Sequence, residues 1–268
     1  MTSANIDDTT VLPCTDARKI TPCPGAADLW RDVQQQGVEL SAREPLLQSI
    51  IDRYITGAPT LGDGLARLLA DHLGCADIGS DIFHDTFAHL YRAHCEISEA
   101  AARDLAAILR DDPAARDHAS CMLFFKGFQA LQGWRLAHQL WKDGRQPIAL
   151  YIQSRLSQIY AVDIHPATKM GSGIVLDHAT GIVIGETAIV GDDVLILHGV
   201  TLGTKEFIKG DRHPIVGNQV VIGAGASILG RTRIGDRSIV ASGSLVLEDM
   251  PADVTIAGVP ARVVKHNG

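Results

Sequence analysis

Aromatic residues and long apolar runs are both scarce in this sequence. Aromatics make up 5% of the 268 residues, whereas glycine occurs 26 times. This pairing disfavours a β-sandwich with an aromatic core and predicts many tight turns. No stretch approaches the roughly 18 apolar residues of a membrane span, and no basic segment precedes an apolar run at the N-terminus. We therefore expect a globular cytoplasmic protein, with neither a membrane span nor a signal peptide.

Cysteine and positive charge are also in short supply. The five cysteines are Cys14, Cys23, Cys75, Cys95 and Cys121. Their number is odd and no CxxC or zinc-type spacing occurs, so we expect a reduced protein whose thiols serve as small apolar side chains and bind no metal. The formal net charge is −7. Such a chain has no general attraction for nucleic acid or anionic lipid, so an anionic ligand needs a local basic patch.

The first part of the chain is predicted to be helical after a loosely structured lead-in. Residues 1–40 show no clear period and contain several prolines. Residues 41–160 show apolar stripes at helical spacing, such as the leucines between Leu61 and Leu73, and predict an α-helical oligomerisation domain. Within it, Asp112 followed by Pro113 is typical of a helix start, with aspartate as the N-cap.

From residue 161 onward apolar residues recur at every sixth position within three runs, at 164–176, 184–202 and 216–246. The anchors are Ile164, Met170, Leu176, Ile184, Val190, Ile196, Leu202, Val216, Ile222, Ile228, Ile234, Val240 and Val246. A period of six fits neither a helix nor a simple strand, but it does fit a triangular parallel β-helix with about 18 residues in each coil. We expect this coil over residues 161–262, followed by a short tail at 263–268. The register breaks between Leu202 and Val216, which predicts an excursion loop over 203–215, a favoured place for function.

Several longer motifs resemble one family within the hexapeptide-repeat acyltransferases. The segments are DIHPATKMGSGIVLDHATGIVIGETA at 163–188, GDRHP at 210–214 and LFFKGFQALQGWR at 123–135, with IAGVPARVV at 256–264 as a closing motif shared across the superfamily. Their order and spacing are similar to those of serine acetyltransferases over about residues 43–265. The resemblance implies an α+β protein in which an N-terminal α-helical domain precedes a left-handed parallel β-helix.

The same resemblance implies an activity and its ligands. It predicts acetyl transfer from acetyl-CoA, as a co-substrate, to the hydroxyl of L-serine, with no permanently bound cofactor and no metal. Other implied properties are inhibition by L-cysteine and assembly into a trimer or a dimer of trimers. The roles implied for single residues are a general base, His178, with Asp163 as its partner; a second histidine, His213, with Glu186 as its partner; Asp112 and Asp177 for the substrate ammonium; Arg212 for its carboxylate; and Gly203, Thr204 and Ala224 for CoA.

These residue types suit the chemistry of the reaction. A histidine can take the proton of an alcohol near neutral pH, and a carboxylate on its far nitrogen fixes the tautomer. Asp163 and His178 are fifteen residues apart, near one coil, which predicts proximity on stacked turns. Arginine and aspartates together match a zwitterion. Since no cysteine lies in the coil, we expect direct attack on the thioester rather than an acyl-enzyme.

Two departures from the family pattern are visible. Residues 201–207 read TLGTKEF where members have a glycine-rich TLGGTGK, so Thr204 and Glu206 replace glycines beside the expected CoA site. We hypothesise that Lys205 and Lys209 compensate by meeting phosphates. The sequence also ends in Lys265-His266-Asn267-Gly268, without the C-terminal isoleucine with which family members enter O-acetylserine sulfhydrylase. We therefore expect no complex with that enzyme by tail insertion.

Other functions remain open from the residues alone. A related acetyltransferase could act on homoserine, a sugar or another small acceptor. A metal-dependent lyase of the γ-carbonic-anhydrase type would need three histidines on facing subunits, such as His178, His198 and His213. A non-catalytic scaffold is the third alternative. Taken singly, Asp112 could be only a helix cap, His178 only a corner residue, and Arg212 only a solvated loop charge.

Overall fold

The computed structural model describes residues 24–206 and 208–267 of the chain. The first 23 residues of the predicted lead-in lie outside this range. Residues 24–40 belong instead to a 20-residue helix, Pro24–Arg43, so the lead-in prediction is wrong for them. This helix is anchored by Trp30 and Val33, which are buried in the helical core. Tertiary packing therefore supplies an order that the local sequence does not signal.

Eight α-helices lie in the described part of the chain before the first strand. They are α1 (Pro24–Arg43), α2 (Gln48–Ile51), α3 (Leu61–Leu73), α4 (Ser80–Ala93), α5 (Cys95–Asp111), α6 (His118–Phe124), α7 (Lys126–Lys142) and α8 (Gln146–Tyr160). A 3₁₀ turn, Pro45–Leu47, precedes α2, and a π-helical turn, Asp52–Thr56, follows it. None of the described helices is long and apolar enough to cross a bilayer.

The helix start predicted at Asp112 is not observed. Asp112 follows the last residue of α5, and its backbone N–H donates to Ile108 O at 2.8 Å. Helix α6 starts six residues later, where the side chain of Asp117 accepts from Ser120 N at 2.7 Å and acts as the N-cap. Both aspartates suit a cap chemically, but only Asp117 caps a helix here.

Fifteen short strands form the rest of the described chain. They are β1 (Val162–Ile164), β2 (Lys169–Met170), β3 (Val175–Asp177), β4 (Ile182–Ile184), β5 (Ile189–Val190), β6 (Leu195–Leu197), β7 (Thr201–Gly203), β8 (Ile215–Val216), β9 (Val221–Ile222), β10 (Ser227–Leu229), β11 (Arg233–Ile234), β12 (Ile239–Val240), β13 (Leu245–Val246), β14 (Val254–Gly258) and β15 (Ala261–His266). Every third strand joins the same sheet. The orders are β1-β4-β7-β10-β13, β2-β5-β8-β11 and β3-β6-β9-β12-β14-β15. The strands pair in parallel except β14 with β15, so the predicted parallel β-helix is confirmed.

The six-residue anchors stack in register inside the coil. On the first face Ile184 pairs with Ile164 and with Leu202, and Ile228 pairs with Leu202 and with Val246. All five are buried, at 3% exposure or less. From Ile228 to Val246 one coil takes 18 residues, as expected. Two coils are longer than 18 residues, and the additional residues of both coils include predicted site residues.

A buried ion pair joins the helices to the first coil. Asp104 of α5 is fully buried and accepts from Arg135 of α7 through Nε and Nη2, at 2.7 and 2.9 Å. The same carboxylate accepts from the backbone of Ile174 at 3.0 Å, and Arg135 also donates to Gly171 O at 2.8 Å. Because all these groups are buried, the pair fixes the position of the coil against α5 and α7.

Both ends of the coil are covered on two of its three faces. At the start, α8 packs on β1, and α7 packs on β1 and β3. At the finish, β15 folds back antiparallel on β14 and contacts β13. The outermost turns therefore do not present bare strand edges along these faces.

Candidate active site

The corner that carries His178 contains two additional residues. Asp177 pairs with Leu197, and Ile182 stands opposite Val200, so four residues (178–181) face only two on the next coil. His178 and Ala179 both adopt left-handed backbone angles, with φ of 55° and 58°. The insertion pushes the imidazole outward, and 75% of its side chain is exposed.

Helix α7 packs directly on this corner. A Cβ added at Gly127 would lie 1.9 Å from Leu176 O, so only glycine permits this approach. The neighbouring Lys126 donates through Nζ to the Thr180 hydroxyl. The LFFKGF motif therefore supports the segment that holds His178.

The carboxylate nearest the His178 ring is that of Asp177, with His178 Nε2 and Asp177 Oδ1 3.8 Å apart. The His198 ring lies one coil further, with centroids 5.9 Å apart. Asp163 is not in contact with His178. It projects from β1, where Oδ1 accepts from Gln153 Nε2 at 2.6 Å. The expected Asp163–His178 pair is thus not formed.

Asp112 lies at the end of α5, the helix that packs on β3, the strand of Asp177. Its carboxylate accepts from Ala114 N at 2.8 Å. Asp112 therefore follows the end of a helix and caps a local turn through Oδ1. The hydrogen bond to Ala114 leaves Oδ2 unused. Asp112 and Asp177 lie on neighbouring elements.

His213 belongs to a second cluster, at the other end of β4. It is buried, with 6% exposure, and its ring lies over Gly185, where an added Cβ would be 2.0 Å from Nε2. Nδ1 accepts from Thr187 N at 3.2 Å and lies 2.9 Å from Thr187 Oγ1. Sequence analysis assigned no role to Thr187 or Gly185, although both stand in the GETA motif.

Arg212 and Glu186 form an ion pair, contrary to the roles expected for each. Arg212 Nη2 donates to Glu186 Oε2 at 2.7 Å, and Nη1 donates to Gly210 O at 3.1 Å. Glu186 was expected to partner His213, which is held by Thr187 instead. The guanidinium hydrogen bond lowers the pKa of Glu186. Glu186 therefore remains an anion beside the arginine that was expected to bind the substrate carboxylate.

Two histidines near this pair have lowered pKa values. Burial lowers the pKa of His213, and the positive charge of Arg212 lowers it further. Burial likewise lowers the pKa of His165, whose Nδ1 accepts from Ala167 N at 3.1 Å and whose ring meets Trp141 edge-on. His165 lies in the DIHP motif but was given no role from the sequence.

The excursion loop is fixed at both ends by contacts with the coils that follow it. Arg231 donates to Thr187 O at 2.8 Å and to His213 O at 3.1 Å. At the other end, Lys205 donates to Leu247 O and packs over Gly230. Lys205 is thus engaged as a loop anchor, in contrast to the predicted phosphate contact. Thr204 Oγ1 donates to Glu206 O at 2.5 Å, which closes a local turn in the segment that departs from the family pattern.

A cleft of about 480 Å³ opens beneath this loop. Its lining residues are Glu186, Thr187, Ile208, Lys209, Gly210 and Arg212. Lys209, Arg212 and Glu186 are the charged residues of this lining. The cleft therefore suits a polar, charged ligand better than an apolar one.

The two clusters are separated within one chain. His178 precedes β4, and His213 lies on Gly185 just after it, so about 13 Å of extended strand lies between Gly181 and Gly185. The predicted CoA residues divide in the same way, because Gly203 ends β7 and Thr204 follows it, whereas Ala224 lies at the corner next to His198, before β10. A small amino acid cannot contact both clusters of one chain at once.

Within residues 24–206 and 208–267, no group of three or more His, Cys, Asp or Glu side chains is arranged to hold a metal ion. His178 and His198 share one corner, and His213 lies at another.

Comparison with known proteins gives consistent matches along the chain. Residues 29–133 match the family model "Serine acetyltransferase, N-terminal", and residues 213–248 match "Bacterial transferase hexapeptide (six repeats)". The serine acetyltransferase of Salmonella typhimurium is 40% identical over 92% of this chain and 90% of its own length. The chloroplastic serine acetyltransferase 1 of Arabidopsis thaliana is 45% identical over 88% of this chain and 76% of its own.

Solved structures agree over similar spans. A Brucella abortus serine acetyltransferase in complex with coenzyme A has a TM-score of 0.87 and 43% identity, covering 90% of this chain and 96% of that one. Soybean serine acetyltransferase complexed with serine has a TM-score of 0.87 and 41% identity, covering 90% and 99%. A serine acetyltransferase in complex with cysteine has a TM-score of 0.88 and 42% identity, covering 89% and 99%.

Proposed function

Since the chain belongs to the serine acetyltransferase family, we propose that it transfers acetyl from acetyl-CoA to L-serine with His178 as general base. The observation that carries this assignment is the distance of 3.8 Å between His178 Nε2 and Asp177 Oδ1. The ammonium and hydroxyl groups of serine stand on adjacent carbons. A carboxylate that binds the ammonium beside the imidazole therefore brings the hydroxyl within reach of the base.

The chemical step is a direct transfer. His178 takes the proton of the serine hydroxyl as its oxygen attacks the thioester carbon. The tetrahedral intermediate then expels the CoA sulfur, with the imidazolium as the proton source, and leaves O-acetylserine. The exposed ring of His178 can reach a ligand without any rearrangement of the core. His213 supplies a further N–H donor, which suits either the developing oxyanion or the substrate carboxylate.

The separation of the two clusters supports an active site shared between chains. The His178 cluster of one copy would face the His213 cluster of its neighbour, with CoA held along the groove between them. Exposed apolar side chains on the coil, Val183 and Ile239 at 42% and 41% exposure, support packing of coil on coil. We therefore propose a trimer of β-helices, in which Asp112 and Asp177 from one chain and Arg212 from the next bind the zwitterion. Residues Gly203, Thr204 and Ala224 would contact CoA from both sides of the groove.

The activity is tested by CoA-thiol release from acetyl-CoA. Serine, homoserine, a galactoside and no acceptor are compared, with the wild type and His178→Ala. Serine-dependent release that is lost in the variant supports both the reaction and the base. Release with homoserine and not with serine would move the assignment to the alternative acceptor.

The shared site is tested by mixing two inactive variants. His178→Ala and His213→Ala chains, unfolded together and refolded, should regain part of the wild-type activity, because some interfaces then combine two intact clusters. Each variant refolded alone is the control and should stay inactive. If the mixture also stays inactive although each variant refolds to the wild-type size, the site lies within one chain.

L-cysteine is proposed to inhibit by occupying the serine position. It keeps the ammonium and carboxylate that the two aspartates and Arg212 recognise, and a related enzyme has been crystallised with it. Cysteine should compete with serine in steady-state kinetics. Inhibition that does not weaken as serine is raised would contradict a common site.

A further inference from the structure

The hydrogen bonds around Thr187 account for every polar position of its hydroxyl. Thr187 Oγ1 accepts from Arg212 N at 3.0 Å and from His213 N at 3.1 Å. A hydroxyl has two acceptor positions and one proton. Because both acceptor positions are used, the remaining proton is directed to His213 Nδ1, 2.9 Å away.

The backbone of Thr187 points to the same assignment. Its N–H also donates to His213 Nδ1, at 3.2 Å, so Nδ1 is an acceptor and carries no proton. The proton of the neutral ring is then on Nε2. The ring's hydrogen bonds to the described residues all involve Nδ1 and leave Nε2 without one. It is therefore available to a ligand.

We propose that Thr187 is a positioning residue that holds His213 in its neutral Nε2–H tautomer and ties it to the root of the excursion loop. This inference rests on the proposed function in that His213 acts in the site. Arg231 reinforces the arrangement, since it donates to both Thr187 O and His213 O. Thr187 thus connects the end of the excursion loop to the tautomer of His213.

The charged and titratable groups that act on His213 come from several elements. They are Arg212, Glu186, His165 and Arg231. None of them bonds to Nδ1, whereas Thr187 does so twice. Loss of the hydroxyl removes a donor to the unprotonated ring nitrogen, which destabilises the neutral form. The pKa of His213 should therefore rise in Thr187→Val by about half a unit to one unit.

The test uses the full-length enzyme labelled with ¹³C and ¹⁵N in the histidine rings. The His213 signals are assigned from their loss in His213→Asn. In the wild type and in Thr187→Ser, which keeps the hydroxyl, the ring should be neutral with the proton on Nε2. In Thr187→Val, the titration should move to higher pH and the Nδ1–H tautomer should appear. Thr232→Val is the matched control, because that buried hydroxyl donates only to Leu229 O at 2.6 Å.

Kinetics give a second readout. The kcat/KM for serine should fall about three- to tenfold in Thr187→Val at pH 6, should fall less at pH 8, and should be restored by Thr187→Ser. A His213 ring with wild-type tautomer and pKa in Thr187→Val would overturn the inference. Full serine-dependent activity of His213→Asn would instead overturn the proposed role of His213, and the ring spectra would still decide what Thr187 does.

Discussion

Arg212 is bound to Glu186 through Nη2 and Oε2 at 2.7 Å, so the group expected to recognise a carboxylate already holds one. Substrate must share or displace this contact. In Glu186→Gln, the side chain that competes with the substrate carboxylate for Arg212 loses its charge. The KM for serine should therefore fall by up to about fivefold, since a partly exposed ion pair contributes up to about 1 kcal/mol. The matched control is Asp211→Asn, which neutralises a loop carboxylate paired with Arg231 instead. A raised KM in Glu186→Gln would show that Glu186 helps binding.

Gly185 is predicted to be indispensable for the position of His213. An alanine Cβ would lie 2.0 Å from His213 Nε2, so the ring must leave Thr187. We expect Gly185→Ala to lower kcat/KM by about two orders of magnitude, the contribution typical of a catalytic histidine. Gly79→Ala, where no atom lies within 4 Å of the added carbon, controls for the substitution itself. Near wild-type activity with an unchanged melting temperature in Gly185→Ala would refute the prediction.

The junction between helices and coil should depend on Asp104. In Asp104→Asn, the buried Arg135 keeps its charge without a counterion, which costs about 3–5 kcal/mol. The measurement is the midpoint of urea unfolding, with Asp193→Asn as a control because its ion pair with Arg110 is exposed. Adding Arg135→Met to Asp104→Asn should recover part of the loss. A shift no larger than that of the control would mean that the pair is not needed.

Stability should decline in mild acid. Burial is the main cause of the lowered pKa values of His72, His118, His138, His165 and His213. Each takes up a proton more readily unfolded, near pH 6.5, than folded. The folded state is therefore fully stable above that pH and loses stability as the pH falls through 6.5 towards the lower folded pKa values.

The melting temperature between pH 7.5 and pH 5 measures this effect. His138→Asn should flatten the pH dependence, because asparagine can still donate to Pro166 O, which His138 Nδ1 contacts at 2.7 Å, but cannot be protonated. The exposed His89 provides the control His89→Asn, which should leave the slope unchanged. An equal slope in all three proteins would contradict the assignment to buried histidines.

Lys205 and Lys209 should behave differently towards CoA. Lys205 is engaged by Leu247 O, so Lys205→Met should loosen the loop and raise the KM for acetyl-CoA and for serine together. Lys209 faces the cleft. If Lys209 contacts a phosphate of CoA, Lys209→Met should raise the KM for acetyl-CoA alone, by about three- to tenfold. Identical KM changes in the two variants would remove this distinction.

The repeating part of the fold was predictable because it is local. Every sixth residue had to point inward, and anchors such as Ile228 and Val246 could be recognised from their period alone. Helix α1 was missed because its order depends on distant packing of Trp30. The carboxylate of Asp163 accepts from Gln153 of α8 rather than from His178, and a spacing argument within the coil takes no account of the helices.

The pairings within the candidate site could not be predicted from the sequence. The motifs identified His178, His213, Glu186 and Arg212. The bonds among them depend on how the excursion loop returns to the coil, for which the sequence has no period. Thr187 escaped notice because a threonine in a turn has many uses, and only the folded loop brings two backbone N–H groups to its hydroxyl.

The covered ends of the coil bear on how large the particle can become. An uncovered parallel strand is a template on which another chain can add, and each addition recreates the same template. A fragment of residues 161–252, which lacks the helices and both β14 and β15, should therefore grow into fibres. The helical domain and the returning strand β15 stop that growth, and they make an intrinsically open-ended architecture into an object of fixed length.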